Sequence, residues 1–433
     1  MNLLSSPSLV ESPFIVVKIG DYTFGKYSTL EDSTSSFTSK VVFPDYMESI
    51  DITKINGAIN TYNIVMTYGI TRGDDPNLLE KVFGSVSKTR KIYISYGDCN
   101  APSFVYREEE AIISSIKTDI DIGTSRIKYT LSCVSSSLAL QAGSYDFPAY
   151  QSAKPSDIIK HLLETKIYGL TDIFYGMQDI NQVNSKKFIL DDDKAVKIEA
   201  KQKMNVLDYL NYLVNCMVSI TNPTDSIIRD SRYYLTIIDS TREELPGPYF
   251  KITKVFANTT VVDSPDTFEA DIGYPGTNLV TSFSIANNES WSILYDYSEQ
   301  IDQSKYMYRI DNEGKMEAVY SPNVTTSKTY QYSTEASKTW WSNMTNFPIN
   351  ATMTIKGLIR PATLMNYIRI RVWFYGAKHS ASGLYVITKQ QDRIDSSGYK
   401  TTLSLTRVGG DTLPSTPKSK AFEKYLSLIE NDT

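Results

Sequence analysis

Carboxylates are the side chains of this chain with the most obvious capacity for chemistry, and three of them, Glu108, Glu109 and Glu110, stand in a row. A glycoside hydrolase needs an acid and a second carboxylate at a defined separation across a cleft. On a strand, neighbouring side chains point to opposite faces, so consecutive glutamates do not converge on one substrate. Their surroundings are strand-like and aromatic, and the run is read as the lining of a surface. Asp191, Asp192 and Asp193 invite calcium, but DDDKAVKIE (191–199) lacks the loop glycine and later bidentate glutamate of a helix–loop–helix calcium site. A solvated turn is expected there. His161 falls on an amphipathic helix and His379 in the loop GAKHSASG, with no HExxH or clustered ligand pattern to link them. Cys99, Cys133 and Cys216 are odd in number and lack a CxxC pair, which argues for reduced, buried thiols rather than a disulfide framework or a structural zinc. No GxSxG elbow presents a nucleophilic serine, and neither GxxxxGKS/T nor GxGxxG offers a nucleotide cradle. The sequons at Asn258 and Asn343 are chance matches in a polar chain. The expectation is a protein with no catalytic, cofactor-binding or metal-ligating residues.

What positions these residues is a strand-rich framework. The 433 residues exceed what one hydrophobic core usually serves. The 31 tyrosines and 16 phenylalanines suit half-buried strands and protein interfaces. A formal charge of −5 argues against a face that grips nucleic acid by neutralising phosphates. The start, MNLLSSPSLVESP, has neither the charged region nor the apolar core of a secretory signal, and no run approaches about 18 apolar residues. A protein made and used in soluble form, without a membrane partner, is expected.

Along the chain, Tyr62, Ile64, Met66, Tyr68 and Ile70 recur with period two, and FIVVKI (14–19), KIYISY (91–96) and IKYTLSCV (127–134) read as further strands. GDDPNLLEKVFGSVS (73–87) predicts one inserted helix with Asp75 as cap and Pro76 at its first position. From 145 the period becomes helical, with Ile158, Ile159, Leu162 and Leu163 on one segment and Val206, Leu207, Leu210, Leu213, Val214 and Met217 on another. Strand patterns return after Pro223. These patterns divide the chain into a first β unit over 1–144, a small α+β unit over 145–220 and a second β unit over 221–410. The second unit contains a polar, aromatic excursion at 298–348, and a charged, helical tail follows over 411–433.

Three stretches carry a resemblance to the tail hub, or baseplate hub, proteins of tailed bacteriophages, a family shared with the hub part of type VI secretion spike proteins. The first combines residues 52–98, from ITKINGAIN to KIYISYGD, with EEEAIISSIKTDIDIGTSRIKYTLSCVSSS (108–137). The second is KPSDIIKHLLE (154–164) with KQKMNVLDYLNYLVNCM (201–217). The third joins MTIKGLIRPATLMNYIRIRVWFYG (353–376) to SGLYVITKQQDRIDSSGYKTTLSLTRVGG (382–410), a final hairpin that closes the second sheet. The resemblance implies a mainly β fold with an α+β insert: two tail-tube-like antiparallel barrels in one chain, joined by a small mixed helical domain. It implies a homotrimer whose six barrels ring a central bore, matching a six-fold tail tube or distal tail protein above and a three-fold spike or fibre below. Adjacent baseplate or tail proteins are further implied partners, in a virion assembled from chains made in the host cytoplasm. Genomic DNA would slide through the bore without sequence-specific binding, past walls expected to carry carboxylates. Two alternatives stand beside this reading: a tail-associated cell-wall hydrolase using carboxylates such as Glu109 and Asp119, and a receptor- or glycan-binding module using Trp340, Trp341 and nearby tyrosines.

Overall fold

The computed structural model describes residues 13–20, 22–25, 42–44, 47–69, 82, 91–98, 107–124, 126–164, 174–179, 193–217, 231–239, 249–256, 268–273, 280–287, 306–310, 316–320, 349–357, 364–374, 377–379 and 381–410. The helix expected at 73–87, apart from Val82, lies outside these residues. So do Asp191, Asp192, Cys99, the sequons at Asn258 and Asn343, Trp340, Trp341 and the tail 411–433.

The first unit is built from β1 (Pro13–Ile19), β2 (Tyr22–Gly25), β3 (Val42–Pro44), β4 (Met47–Ile55), β5 (Thr61–Gly69), β6 (Lys91–Asp98), β7 (Arg107–Asp121) and β8 (Arg126–Val134). The period-two patterns hold. Tyr62, Ile64 and Met66 of β5 and Ile92, Ile94 and Tyr96 of β6 point inward and are fully buried. β1 is covered on both faces, which explains why its sequence, FIVV, is continuously apolar. Val82 is helical and belongs to the same core.

The middle of the chain carries β9 (Tyr145–Phe147), β10 (Tyr150–Ala153), α1 (Pro155–Glu164), β11 (Phe174–Asp179), β12 (Val196–Ile198), β13 (Lys201–Met204), α2 (Val206–Cys216), β14 (Ser231–Ile238) and β15 (Tyr249–Phe256). Pro155 opens α1, where its missing N–H leaves no bond unmade. Asn205 caps α2, accepting from the Asp208 N–H at 2.8 Å. The apolar stripe of α2 is buried throughout, and Tyr209 stacks on Phe147 with ring centroids 3.8 Å apart. β14 lies between two cores by strand alternation. Tyr233, Leu235 and Ile237 face the helices, while Tyr234 faces the core formed by the C-terminal strands. The middle core therefore draws on strands beyond residue 220.

Those C-terminal strands are β16 (Phe268–Ile272), β17 (Val280–Asn287), β18 (Tyr306–Ile310), β19 (Met316–Tyr320), β20 (Ile349–Lys356), β21 (Tyr367–Phe374), β22 (Ala377–Lys378), β23 (Gly383–Asp395) and β24 (Gly398–Gly410). β18 and β19 pair with each other inside the segment expected to be an excursion.

One ladder crosses the molecule in the order β17-β20-β24-β23-β4-β5-β8-β7-β6-β1-β2-β3. The final hairpin, expected to close the second sheet, lies within that sheet, pairing β20 and β21, and also joins the two β units. β23 pairs β21 over Gly383–Val386 and then pairs β4 over Lys389–Ile394. A register irregularity between Ile387 and Lys389 marks the change of partner, as a bulge re-aims a strand. The hairpin end thus inserts Ile394 and Tyr399 into the first core, where Tyr399 meets Tyr96 edge to face. Its turn is tightened by Asp395, which accepts from the Ser397 N–H at 2.8 Å and from Arg393 Nε at 2.9 Å. Among the described residues the ladder is open, with β17 and β3 at its ends.

Replacing the buried Ile394 by alanine removes apolar contacts at this junction. It is expected to lower unfolding free energy by roughly 2–5 kcal/mol in chemical denaturation. Ile122→Ala, at a position 89% exposed, is expected to change it by less than about 0.5 kcal/mol.

Candidate functional site

The three cores meet at the β4–β5 turn, Asn56–Asn60, at the end of a hairpin whose Asn-Gly pair favours reversal. Gly57 has φ +68°, a backbone region that side chains disfavour, and an added Cβ would come 2.5 Å from the Asn211 Oδ1 atom. The bare backbone is used on both sides. The Gly57 N–H donates to the Leu235 carbonyl at 2.7 Å, and the Gly57 carbonyl accepts from Asn211 Nδ2 at 2.7 Å. Asn56 reaches the other way: its N–H donates to the Thr388 carbonyl at 3.2 Å, at the bulge in β23. Its side-chain amide bridges Met365 Sδ and the Thr236 hydroxyl. An amide carries donor and acceptor together, which suits a residue wedged between unlike partners.

Behind this turn lies a buried polar network. Glu109, on β7, is 1% exposed and forms an ion pair with Lys54 of β4. It also accepts from the hydroxyls of Tyr96 and Tyr62, each at 2.7 Å. Burial pushes the Glu109 carboxyl up, but the Lys54 charge and these hydrogen bonds outweigh that effect and hold it below the usual glutamate range. Asp239, just past β14, accepts from the Asn60 Nδ2 atom at 2.7 Å and the Ser135 hydroxyl at 2.5 Å. Tyr62 stands between the acids, with its Oη also 2.9 Å from Asp239 Oδ2. Among the described residues Asp239 meets only neutral partners, and desolvation pushes its carboxyl up to about 6. Backbone bonds frame the cluster, from the Glu110 N–H to the Asp239 carbonyl at 3.1 Å and from the Ser135 N–H to the Asn60 carbonyl at 3.0 Å.

The sequence candidates that fall among the described residues take definite places. Glu109 is a buried structural anchor rather than part of a surface lining, because Lys54 and two tyrosines compensate its burial. Glu110 sits at the rim, paired with Lys91 at 2.9 Å. Glu108 lies on β7, at a position whose side chain is outside the described set. Asp119, the other acid weighed for hydrolysis, is exposed and paired with Lys117 at 3.0 Å. Ten residues of strand at about 3.3 Å each put it roughly 33 Å from Glu109, so the two do not share a cleft.

Asp193 is fully buried, contrary to the expected solvated turn. It caps α1 from a distance in sequence, accepting from the Ser156 N–H at 2.9 Å and the Ser156 hydroxyl at 2.5 Å. His161 is exposed on the last turn of α1, whereas His379 shapes a turn by accepting from the Ala381 N–H at 3.1 Å. Cys133 and Cys216 are buried, and burial pushes the Cys133 thiol up to about 12. Among the described residues, no group of three His, Cys, Asp or Glu side chains is placed to hold a metal, and no helix is long and apolar enough to cross a membrane. Sequence reasoning missed Asn56, Asn60, Lys54, Tyr62 and Asp239. The one local signal was Asn-Gly between two strands; the rest meet only through tertiary packing.

Among the described residues, the most exposed large apolar side chains lie elsewhere, at the end of the β7–β8 hairpin: Ile120 is 65% and Ile122 89% exposed. The turn itself is well made. Asp121 accepts from the Gly123 N–H at 3.0 Å and the Thr124 hydroxyl at 2.6 Å.

No protein-family model and no curated protein matches this chain. Among solved structures it is similar to the tail protein from Neisseria meningitidis MC58, with a TM-score of 0.50 and 10% identity over 94% of this chain and 100% of that one. The 43 kDa tail protein of prophage MuSo2 from Shewanella oneidensis gives 0.47 and 11%, over 92% of this chain and 100% of that one. The E. coli c3393 protein, a type VI secretion component with structural similarity to T4 bacteriophage tail proteins gp27 and gp5, gives 0.45 and 10%, over 86% of this chain and 78% of that one. The Neisseria likeness establishes a tail-protein fold over nearly the whole chain.

Two substitutions test the joint. Glu109→Gln leaves Lys54 buried without its counter-charge and is expected to cost on the order of 3–5 kcal/mol by chemical denaturation, with part recovered in the Lys54→Met/Glu109→Gln double variant. Gly57→Ala, which must hold a positive φ against Asn211, is expected to lower stability by about 1–3 kcal/mol in the same measurement.

Proposed function

We propose that this chain is a structural tail hub protein: three copies form a ring that joins a six-fold tail tube to a three-fold spike or fibre and encloses part of the DNA ejection channel. The observation that carries this reading is the tail-protein fold over 94% of the chain, in which two β units are tied into one ladder. A subunit holding two such units in fixed relation converts three copies into six similar β surfaces, the symmetry match such a junction requires. On this reading each β unit curls as a tube-like barrel and the helices around α1 and α2 form a separate small domain.

The physical chemistry of the chain supports this role. The ladder ends at β17 and β3 among the described residues, and strand edges are places where another copy can pair. The exposed Ile120 and Ile122 offer apolar area of the kind that a neighbouring subunit covers. The buried acids are matched by tyrosines, asparagine, serine and one lysine, an arrangement that holds units together rather than one that presents a reactive group to substrate. The net charge of −5 suits a bore past which phosphates slide without being held.

Electron microscopy and sedimentation of the purified protein at high concentration test the assembly. Three-fold rings with an open channel are expected; monomers at every concentration, or a strongly basic bore, would overturn the corresponding part of the proposal. The Ile120→Asp/Ile122→Asp variant is expected to weaken ring formation at least tenfold in concentration while leaving the melting of the monomer unchanged.

A further inference from the structure

We propose that Asp239 is a proton-binding site that fastens β14 to the first β unit when its carboxyl is protonated and loosens that contact when it ionises. The protons available at Tyr62 require this, whether or not the protein forms rings. Tyr62 has one hydroxyl proton but stands 2.7 Å from Glu109 Oε2 and 2.9 Å from Asp239 Oδ2. One of these contacts is therefore donated by the tyrosine, and the other requires a proton on a carboxyl group.

The surroundings decide which acid carries it. Glu109 faces the Lys54 ammonium and accepts from Tyr96 as well, so its charge is compensated from β4 and β6. Among the described residues, Asp239 receives beside Tyr62 only the neutral donors Asn60 and Ser135. With the proton on Asp239 Oδ2, the carboxyl donates to Tyr62 Oη, Tyr62 donates to Glu109, and Ser135 and Asn60 donate to Asp239. Every proton in the chain is then used once. Without that proton, an oxygen–oxygen contact at 2.9 Å faces lone pair to lone pair inside the protein, beside the charge of Glu109. Among the described residues, the titratable groups around the site are Glu109 and Glu110 on β7, Lys54 on β4, Lys91 and Tyr96 on β6, and Tyr62 on β5. Lys54 and Lys91 are each engaged by a glutamate.

Burial, with a contribution from Glu109, raises the Asp239 carboxyl from 3.8 to about 6. For an acid raised in the folded state, the stabilisation is fully present below its ordinary value and is lost as pH rises through its folded value. Between pH 5 and pH 7.5 this corresponds to a loss of roughly tenfold in the equilibrium favouring the fastened state.

The test is amide exchange of the full chain between pH 5 and pH 7.5, corrected for intrinsic exchange. Protection of the Glu110 N–H, which donates to the Asp239 carbonyl, is expected to fall about tenfold, while that of the Met217 N–H, which donates to the Val214 carbonyl at the C-terminal end of α2, stays level. In Asp239→Asn, which cannot ionise, the pH dependence of Glu110 protection and of thermal melting is expected to vanish across the same window. Infrared spectra of the unaltered protein should show a protonated-carboxyl stretch at pH 5 that disappears as pH passes about 6. Unchanged Glu110 protection in the unaltered protein overturns the proposal even if Asp239→Asn fails to fold. So does a pH dependence that survives in that variant, or the absence of the stretch at pH 5.

Discussion

The strand on which the architecture depends is β4. On one side it pairs with β5, its neighbour in sequence, and on the other with the distal half of β23, from the far end of the chain. Removing either ladder would separate two β units that otherwise share one sheet. Closing so long a loop is entropically unfavourable, and the contacts that reward it gather at one place. They are the β4–β23 backbone bonds, the burial of Ile394 and Tyr399 in the first core, and the asparagines of the β4–β5 turn.

That turn explains why the three cores behave as neighbours rather than as beads. Gly57 bonds to β14 and α2 through its backbone, while Asn56 bonds to β23 and to Met365. Apolar packing alone has little directionality, whereas hydrogen bonds to backbone groups fix register and angle. The buried ion pair of Lys54 and Glu109 adds less net stability than its appearance suggests, since removing two charges from water offsets most of their attraction. Its effect is to make misplacement of β7 against β4 unfavourable, because either charge left alone would be buried without compensation.

Two acids in one network are thereby given opposite characters. Glu109 is held ionised by Lys54 and two hydroxyls, while Asp239, a tyrosine away, is pushed toward its neutral form by desolvation and by Glu109 itself. Such divergence is familiar from active sites, but here both groups are sealed inside a joint between structural units. A titratable pair buried in such a joint acts on the rigidity of the contact between the units. The exposed isoleucines of the β7–β8 hairpin mark the opposite kind of surface, turned outward and available to a partner.

The amino-acid sequence by itself determined the local elements. Period-two alternation in YNIVM, KIYIS and YKTTLSL, the apolar stripe after Asn205 and Pro155 at the start of α1 all formed as their patterns require, because strand and helix geometry repeat over a few residues. A mainly β chain with a mixed middle was legible for the same reason. Tertiary structure decided the rest. Nothing near Asp392 announces pairing with Ile52, nothing near Asp193 announces that it caps α1, and EEE gives no sign that its second member is neutralised by a lysine from another strand. Burial, partner and protonation of these groups depend on which distant residues the fold brings within about 3 Å. For that reason Glu109 and Asp193, which stood among the candidates for chemistry in the sequence, became, once placed, buried anchors of the fold.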